Sequence, residues 1–429
     1  MMVCAASAAP APRPLKIAVL LPGADSPFVS AGAAVAQGVR AAALSSQNPV
    51  KVVVLPRKRG QTILSQMQDA ALSGADVTVG PLGRADVDEA LSLEFLPLPC
   101  VALNVGNSGR PTPPIMMHFT LSLEEEARQI ARIAVEALPE KTASGKVPQM
   151  RIFAATSSSE QRIASAYEEV LKARGVNYQR FDLTTEMLET TKLLYEEPVV
   201  PADAQPKLLP VPDRYDDPQG YMKATLKNRA ILSEFKARLA YREPPYQGAL
   251  LAMDNRMAAL VKPRLPRLTK VWGTSLVNPE TGSFGQVASL TYDLKDLVFV
   301  EAPLVTISNP NAFLVRYGVE MPKSTLDKRL FAFGVDAFTL ACAWAKGEGD
   351  IVFAGTTGLV EFHRAVSPIA SREGRLVMVD QKGLRLTTSE EARKPLETPD
   401  FEAIQNKNQA ARTQTEAPAS SVVISEPKP

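Results

Sequence analysis

Twice along this chain, short apolar runs alternate with longer helix-forming stretches in strict βα order, and between the two series the pattern starts afresh. The first series opens with Lys16-Ile17-Ala18-Val19-Leu20-Leu21-Pro22, a continuous apolar run of the kind made by a strand covered on both faces. A Gly-containing loop (Gly23 to Ser30) leads to an Ala-rich helix from about Ala31 to Leu44. Strands are then predicted over Lys51–Leu55, Asp76–Gly80, Cys100–Leu103 and Met116–Phe119, and helices over Gln61–Leu72 and Asp86–Leu93. Alternation of this kind dictates a parallel sheet with helices on both faces.

The restart lies at Leu121–Glu126, where Ser122 followed by Glu125 is a capping-box signature for a helix to about Leu138. A second series follows: strand Met150–Ala154, helix Ser159–Arg174, strand Asn177–Asp182. Residues 183–220 break the rhythm with six prolines and are read as an irregular insertion. Helix Tyr221–Leu239, strands Ala249–Ala252, Lys270–Gly273 and Leu297–Val300, and helix Asn255–Val261 resume it. A long apolar helix, Leu330–Ala345, precedes Gly358–His363 and Arg375–Val379, which read as a late antiparallel hairpin. From Ser389 the sequence is polar and of low complexity, which predicts a disordered tail over 389–429. The fold class is therefore α/β with two doubly wound lobes: 15–120 plus about 302–350, and 121–301 plus about 351–388, after a leader over 1–14.

Composition narrows function more than fold. With 429 residues, two lobes or domains are the prior. The 48 basic and 46 acidic residues leave a net charge of +2, no field for steering a nucleic acid. Two histidines and three cysteines without CxxC spacing supply metal and Cys–His chemistry poorly. No apolar run approaches the length of a membrane-spanning helix. The small, Pro-rich start Met1–Pro12 reads either as the end of a secretory signal or as a plain leader, with Cys4 as the one residue that would carry a lipid.

Strand tips of a parallel sheet converge on the crevice where such folds bind ligands. The tips here supply Gly80, Pro81, Leu82 and Arg84 after the third strand, Asn104 after the fourth, Asp254 and Asn255 after Ala249–Ala252, and Thr274 and Ser275 after Lys270–Gly273. These nine are the candidate interlobe site. Gly80-Pro81-Leu82-Gly83 lacks both GxxxxGK[ST] and GxGxxG spacing, so it is a sharp turn toward a cleft and not a phosphate cradle. Asp86 and Asp88 point to different sides of a helix, Asp86 complementing its dipole. Asn104 either closes its turn or meets a ligand, and Asp254 either caps the next helix or does so. His118 and His363 have no nucleophile motif nearby. Thr281-Gly282-Ser283-Phe284-Gly285 has the wrong spacing for a nucleophile elbow. No catalytic residue, cofactor or metal is expected.

The two βα series with chain returns between them resemble a type I periplasmic-binding-protein fold. Several segments in order resemble the penicillin-binding protein activator family (LpoA/LppC): Lys16–Pro22, Val79–Leu82, Ala102–Asn104, Phe119–Ser122 with Glu124–Ala127, Gly248–Lys262, Trp272–Asn278 and Phe333–Ala337. The family implies periplasm-facing outer-membrane lipoproteins that stimulate a bifunctional peptidoglycan synthase, a penicillin-binding protein, by contact. Its best-known members carry a helical, TPR-like domain ahead of this fold. Leu82-Gly83-Arg84-Ala85 stands where amino-acid receptors of the fold present small hydroxyl residues to a ligand carboxylate. The resemblance thus implies a non-enzymatic regulator whose partner is that synthase, with a membrane link only through a lipid anchor. The alternative is the substrate-binding protein of an ABC transporter, its cleft closing on a small polar ligand such as an amino acid.

Overall fold

A computed structural model describes residues 13–186, 200, 204–282, 285–401 and 403. The leader, Cys4, part of the insertion, the Ser283–Phe284 pair and most of the predicted tail lie outside the described residues.

The opening run becomes β1 (Leu15–Leu21), and its side chains explain its composition. Ile17 and Val19 enter one core cluster, while Ala18 and Leu20 enter another on the opposite face. Strand β1 pairs in parallel with β2 (Val50–Pro56) and β3 (Val77–Val79), and the sheet continues through β4 (Cys100–Ala102) and β5 (Met116–Phe119). Helices α1 (Val29–Leu44), α2 (Ile63–Leu72) and α3 (Arg84–Leu91) connect these strands.

Ser122 caps α4 (Leu123–Glu136) through the Glu125 N–H, but the Glu125 carboxylate goes to Arg128. The reciprocal capping box is found one helix later, between Ser157 and Glu160 at the start of α5 (Ser158–Ala173). The second sheet gathers β6 (Gln149–Ala154), β7 (Asn177–Asp182), β8 (Gly248–Ala252), β9 (Lys270–Gly273) and β10 (Val298–Glu301). Helices α6 (Pro218–Ala240), α7 (Asn255–Val261) and α8 (Val287–Asp293) fall between them. Helix α6 begins earlier than its periodicity suggested, because Asp217 caps it and Pro218 fits the first helical position.

Beyond β10 the chain returns to the first lobe. Helices α9 (Pro310–Tyr317) and α10 (Thr325–Ala345) come first, then β11 (Asp350–Ala354), β12 (Leu359–His363) and β13 (Ile369–Glu373). These three strands extend the first sheet, whose order is β11-β12-β13-β5-β4-β3-β1-β2. This corrects two expectations: 351–373 does not belong to the second lobe, and Gly358–His363 does not pair with Arg375–Val379. Strand β12 pairs instead with β11 and β13. Only β14 (Arg375–Asp380) and β15 (Gly383–Leu386) cross back, giving the second sheet the order β15-β14-β10-β9-β8-β6-β7. A third correction concerns Ser389–Arg393, which is not disordered but forms α11 with Ala392 fully buried.

Helices α1 and α10 pack backbone to backbone on the first sheet. A Cβ at Gly38 would fall well inside contact distance of the Phe331 carbonyl oxygen, and one at Gly334 equally close to that of Val35. These reciprocal glycines set the helix spacing, and no flexible side chain is there to yield. Gly334→Ala is expected to cost roughly 1–3 kcal/mol through overpacking, read as a lowered urea midpoint with unchanged m-value.

Candidate functional site

On the first lobe the crevice edge is built largely by backbone. Strand β3 ends at Gly80, whose φ of +107° and close approach to the Leu20 carbonyl exclude a side chain. The Gly80–Pro81 peptide is cis. The turn is pinned by Gly80 N–H to Val101 O and Leu103 N–H to Pro81 O, each 2.9 Å. Cys100 beneath it donates its thiol to Gly80 O at 3.1 Å, and burial pushes that thiol up to about 12, so it stays protonated.

Asn104 closes its turn. Its Nδ2 donates to Leu82 O at 3.1 Å and its Oδ1 accepts from Val105 N–H at 3.0 Å. His118 is fixed by both ring nitrogens, Nδ1 on Asn104 O and Nε2 on Thr112 Oγ1. Its burial lowers the pKa, which keeps the ring neutral. Leu82 packs against the first core, whereas Arg84 is exposed and donates to Asn107 Oδ1 at 3.1 Å. Asp86 meets Arg57 with Glu89 alongside, a clamp between α3 and the loop after β2. Asp88 accepts the Asn107 and Ser108 N–H groups, and those bonds lower its pKa.

On the second lobe Asp254 is the exposed N-cap of α7, accepting Met257 N–H at 2.8 Å. Asn255 is buried, its Nδ2 donating to Asn278 O and Thr281 Oγ1, each 2.9 Å. Thr274 caps the short 3-10 turn that follows β9.

Ser275 leads to the centre of the interface. Its N–H donates to Glu126 Oε2 at 2.9 Å, and its carbonyl accepts from Arg329 Nη2 at 2.9 Å. Glu126 on α4 also receives Arg372 Nη2, from β13 of the first sheet, at 2.6 Å. Arg329 on α10, a first-lobe helix, forks onto Glu301 at the end of β10: Nε to Oε1 at 2.9 Å and Nη2 to Oε2 at 2.5 Å. Asn278 Nδ2 and Ala302 N–H complete the Glu301 shell. Two buried ion pairs therefore cross from lobe to lobe, joined by one serine peptide. The Glu126, Arg372 and Glu301 side chains are at most 7% exposed. Burial alone would pull the Arg329 pKa down. The adjacent Glu301 carboxylate overrides it, and the guanidinium is held charged. Gln129 adds a further tie, its amide donating to Gly374 O and accepting from Gly374 N–H at the last crossover.

The nine residues chosen from sequence thus lie on the loops and first helical turns that follow β3, β4, β8 and β9, and in the described residues most of their polar groups bond within the protein. Two cavities, of about 620 and 430 Å³, open beside α4; none of the nine lines them.

No family model matches the chain, and no curated protein is similar enough to align with it. Solved structures do match. The C-domain of LpoA (YraM) from Haemophilus influenzae, a regulator of PBP1A, is 13% identical with a TM-score of 0.59, over 87% of this chain and 100% of that one. A putative branched-chain amino acid ABC transporter protein from Chromobacterium violaceum is 23% identical with a TM-score of 0.59, over 85% and 99%. The chain has the type I periplasmic-binding-protein fold. Full-length LpoA from H. influenzae aligns at 14% identity and TM-score 0.59, and this chain spans 59% of its length. Among the described residues no helix is long and apolar enough to cross a membrane.

Sequence reasoning missed Glu126, Glu301, Arg329 and Arg372. The signal was a charge at an apolar phase: Glu301 extends the all-buried Val298–Val300, and Arg372 shares the inward face of β13 with Ala370. Arg329→Met strands the Glu301 carboxylate and is expected to cost about 3–5 kcal/mol in urea denaturation. Combining it with Glu301→Gln should restore part of that loss in a double-mutant cycle. Asp254→Ala removes only a cap, and about 1 kcal/mol is expected in the same assay.

Proposed function

We propose that the chain is a non-catalytic periplasmic regulator that activates a bifunctional peptidoglycan synthase, a penicillin-binding protein, by direct contact. The observation that carries this reading is the paired bridge of Glu126–Arg372 and Glu301–Arg329 across the lobes. A transport receptor works by opening and closing its lobes around a ligand. Here opening at that interface has to separate two buried ion pairs, each costly to break. The crevice groups Asn255, Thr274 and Ser275 are also engaged internally. A fixed two-lobed body suits a protein that works through its surface. LpoA, whose C-domain shares this fold, is a regulator of PBP1A, which gives the partner class. Cys4, if lipidated, would hold the chain at the inner face of the outer membrane.

The test is a pull-down of a purified bifunctional penicillin-binding protein, followed by glycan-polymerisation and transpeptidation assays with and without the chain. Binding and faster synthesis are expected. Neither binding nor stimulation, together with thermal stabilisation by an amino acid or short peptide, would assign a transport receptor instead.

A further inference from the structure

Helix α6 has two apolar strips where a surface helix ordinarily has one. At about 100° per residue, Tyr221, Ala224, Asn228, Ile231, Phe235 and Leu239 share one side. That side is turned inward: Ala224 and Asn228 are buried and the other four half-buried. The Asn228 amide clamps the peptide of Leu209, donating to its carbonyl and accepting its N–H, each at 2.8 Å. The opposite side carries Met222, Leu226, Ala230, Ser233 and Ala237, spaced by four, four, three and four residues, and all five are exposed. Met222 and Leu226 are each 61% exposed.

Basic side chains border this outer strip on both flanks, Lys223, Lys227 and Arg238 along one and Arg229 and Lys236 along the other. The single acidic residue of the helix, Glu234, bonds to Arg238 one turn on. Among the described residues no carboxylate forms an ion pair with Lys223, Lys227, Arg229 or Lys236. The strip thus has the layout of a helix-pairing seam, largely apolar along its centre and charged at its edges, about 22 Å long.

We propose that the outer face of α6 seats an amphipathic helical segment of the synthase whose own apolar strip is flanked by Asp and Glu. This deepens the regulator reading above and rests on it. Charge selects the occupant. A second copy of α6 would set basic flanks against basic flanks across a symmetric contact. A lipid surface rewards large inserted side chains. Beyond Leu226 the strip offers only Ala230, Ser233 and Ala237, which let another helix approach closely and insert little into a bilayer.

The experiment measures binding of the purified full chain to the purified bifunctional penicillin-binding protein at low and at physiological salt. It compares the wild type with Leu226→Glu, with the double variant Lys223→Glu/Lys227→Glu, and with Lys172→Glu on α5 as a distant control. The substituted side chains are exposed, and circular dichroism and melting temperature are expected to stay at wild-type values. Both α6 variants are expected to bind at least tenfold more weakly. The charge-reversed one should also lose most of the salt dependence, with the control unchanged. If the wild type binds and stimulates while the α6 variants match it, this surface is wrong and the regulator reading stands. If the wild type does not bind at all, both fall. Co-sedimentation with phosphatidylglycerol vesicles that is lost in the α6 variants, alongside unaltered synthase binding, would reassign the face to lipid.

Discussion

A guanidinium buried against a carboxylate is tolerable only when every remaining donor and acceptor nearby is placed to match it. The interface between the lobes meets that demand at Arg329 and comes close to it at Arg372, where the buried Nε alone is left without a partner. Arg329 divides its donors between Glu301 and the Ser275 carbonyl, and Arg372 divides its donors between Glu126 and the Thr357 carbonyl. The Ser275 peptide belongs to both clusters, so the position of the loop after β9 is dictated from both sides. Much of the remaining architecture follows from holding these four charges in register. Helix α4 has to begin where Ser122 caps it, and β10 has to end at Glu301. Strand β13 has to run far enough to bring Arg372 beneath α4.

Each lobe meets its own packing requirement by the same means. The central strands carry apolar side chains on both faces because helices cover both. In β8, Leu250 and Ala252 enter one cluster and Ala249 and Leu251 the other, as the alternate residues of β1 do in the first lobe. The glycine pair between α1 and α10 then brings the two longest covering elements of the first lobe to backbone contact. Helix α6 departs from this economy. It follows the irregular insertion after β7; its inward strip turns to the protein, where Asn228 holds the peptide of Leu209, and its outward strip is left to solvent.

The parts of the fold that were legible in the sequence are those governed by local periodicity. The apolar run of β1 reads as a doubly covered strand because both faces are filled, the shorter runs of β8 and β9 read as strands, and Asp254 stood where a helix cap belongs. Sheet membership was not legible. The alternation of Leu359–His363 and of Arg375–Asp380 is the same whichever sheet accepts the strand, and the choice is made by partners far away in sequence. The charged interface was hidden for the same reason: Glu126 and Arg372 are 246 residues apart. Glu126 sits in an acidic first turn, Glu124-Glu125-Glu126, that reads equally well as complement to a helix dipole. The crevice loops were found from topology, and turn closure was one of the two roles open to Asn104 from sequence, yet Asn255 and Ser275 could not be seen from sequence to be engaged within the fold.

The order in which strands enter the first sheet bears on how the chain is made. A nascent polypeptide that has emerged only through Phe119 carries five of that sheet's eight strands and lacks α10. Phe333, Phe338, Trp344 and Phe362, which fill the α1 side of the core, arrive only after the whole middle of the second lobe has been synthesised. Until then Val35 and Val39 of α1 and the face of β1 bearing Ile17 and Val19 pack only on one another and on the neighbouring strands, and the α10 side of that core stays open. The first lobe begins first and finishes late, and its completion coincides with delivery of Arg329 and Arg372 to the carboxylates waiting on the other lobe. Vectorial synthesis therefore cannot produce one finished lobe followed by another. The two halves mature together, and the apolar sheet of the first lobe stays incompletely covered until α10 and the strands after it are made.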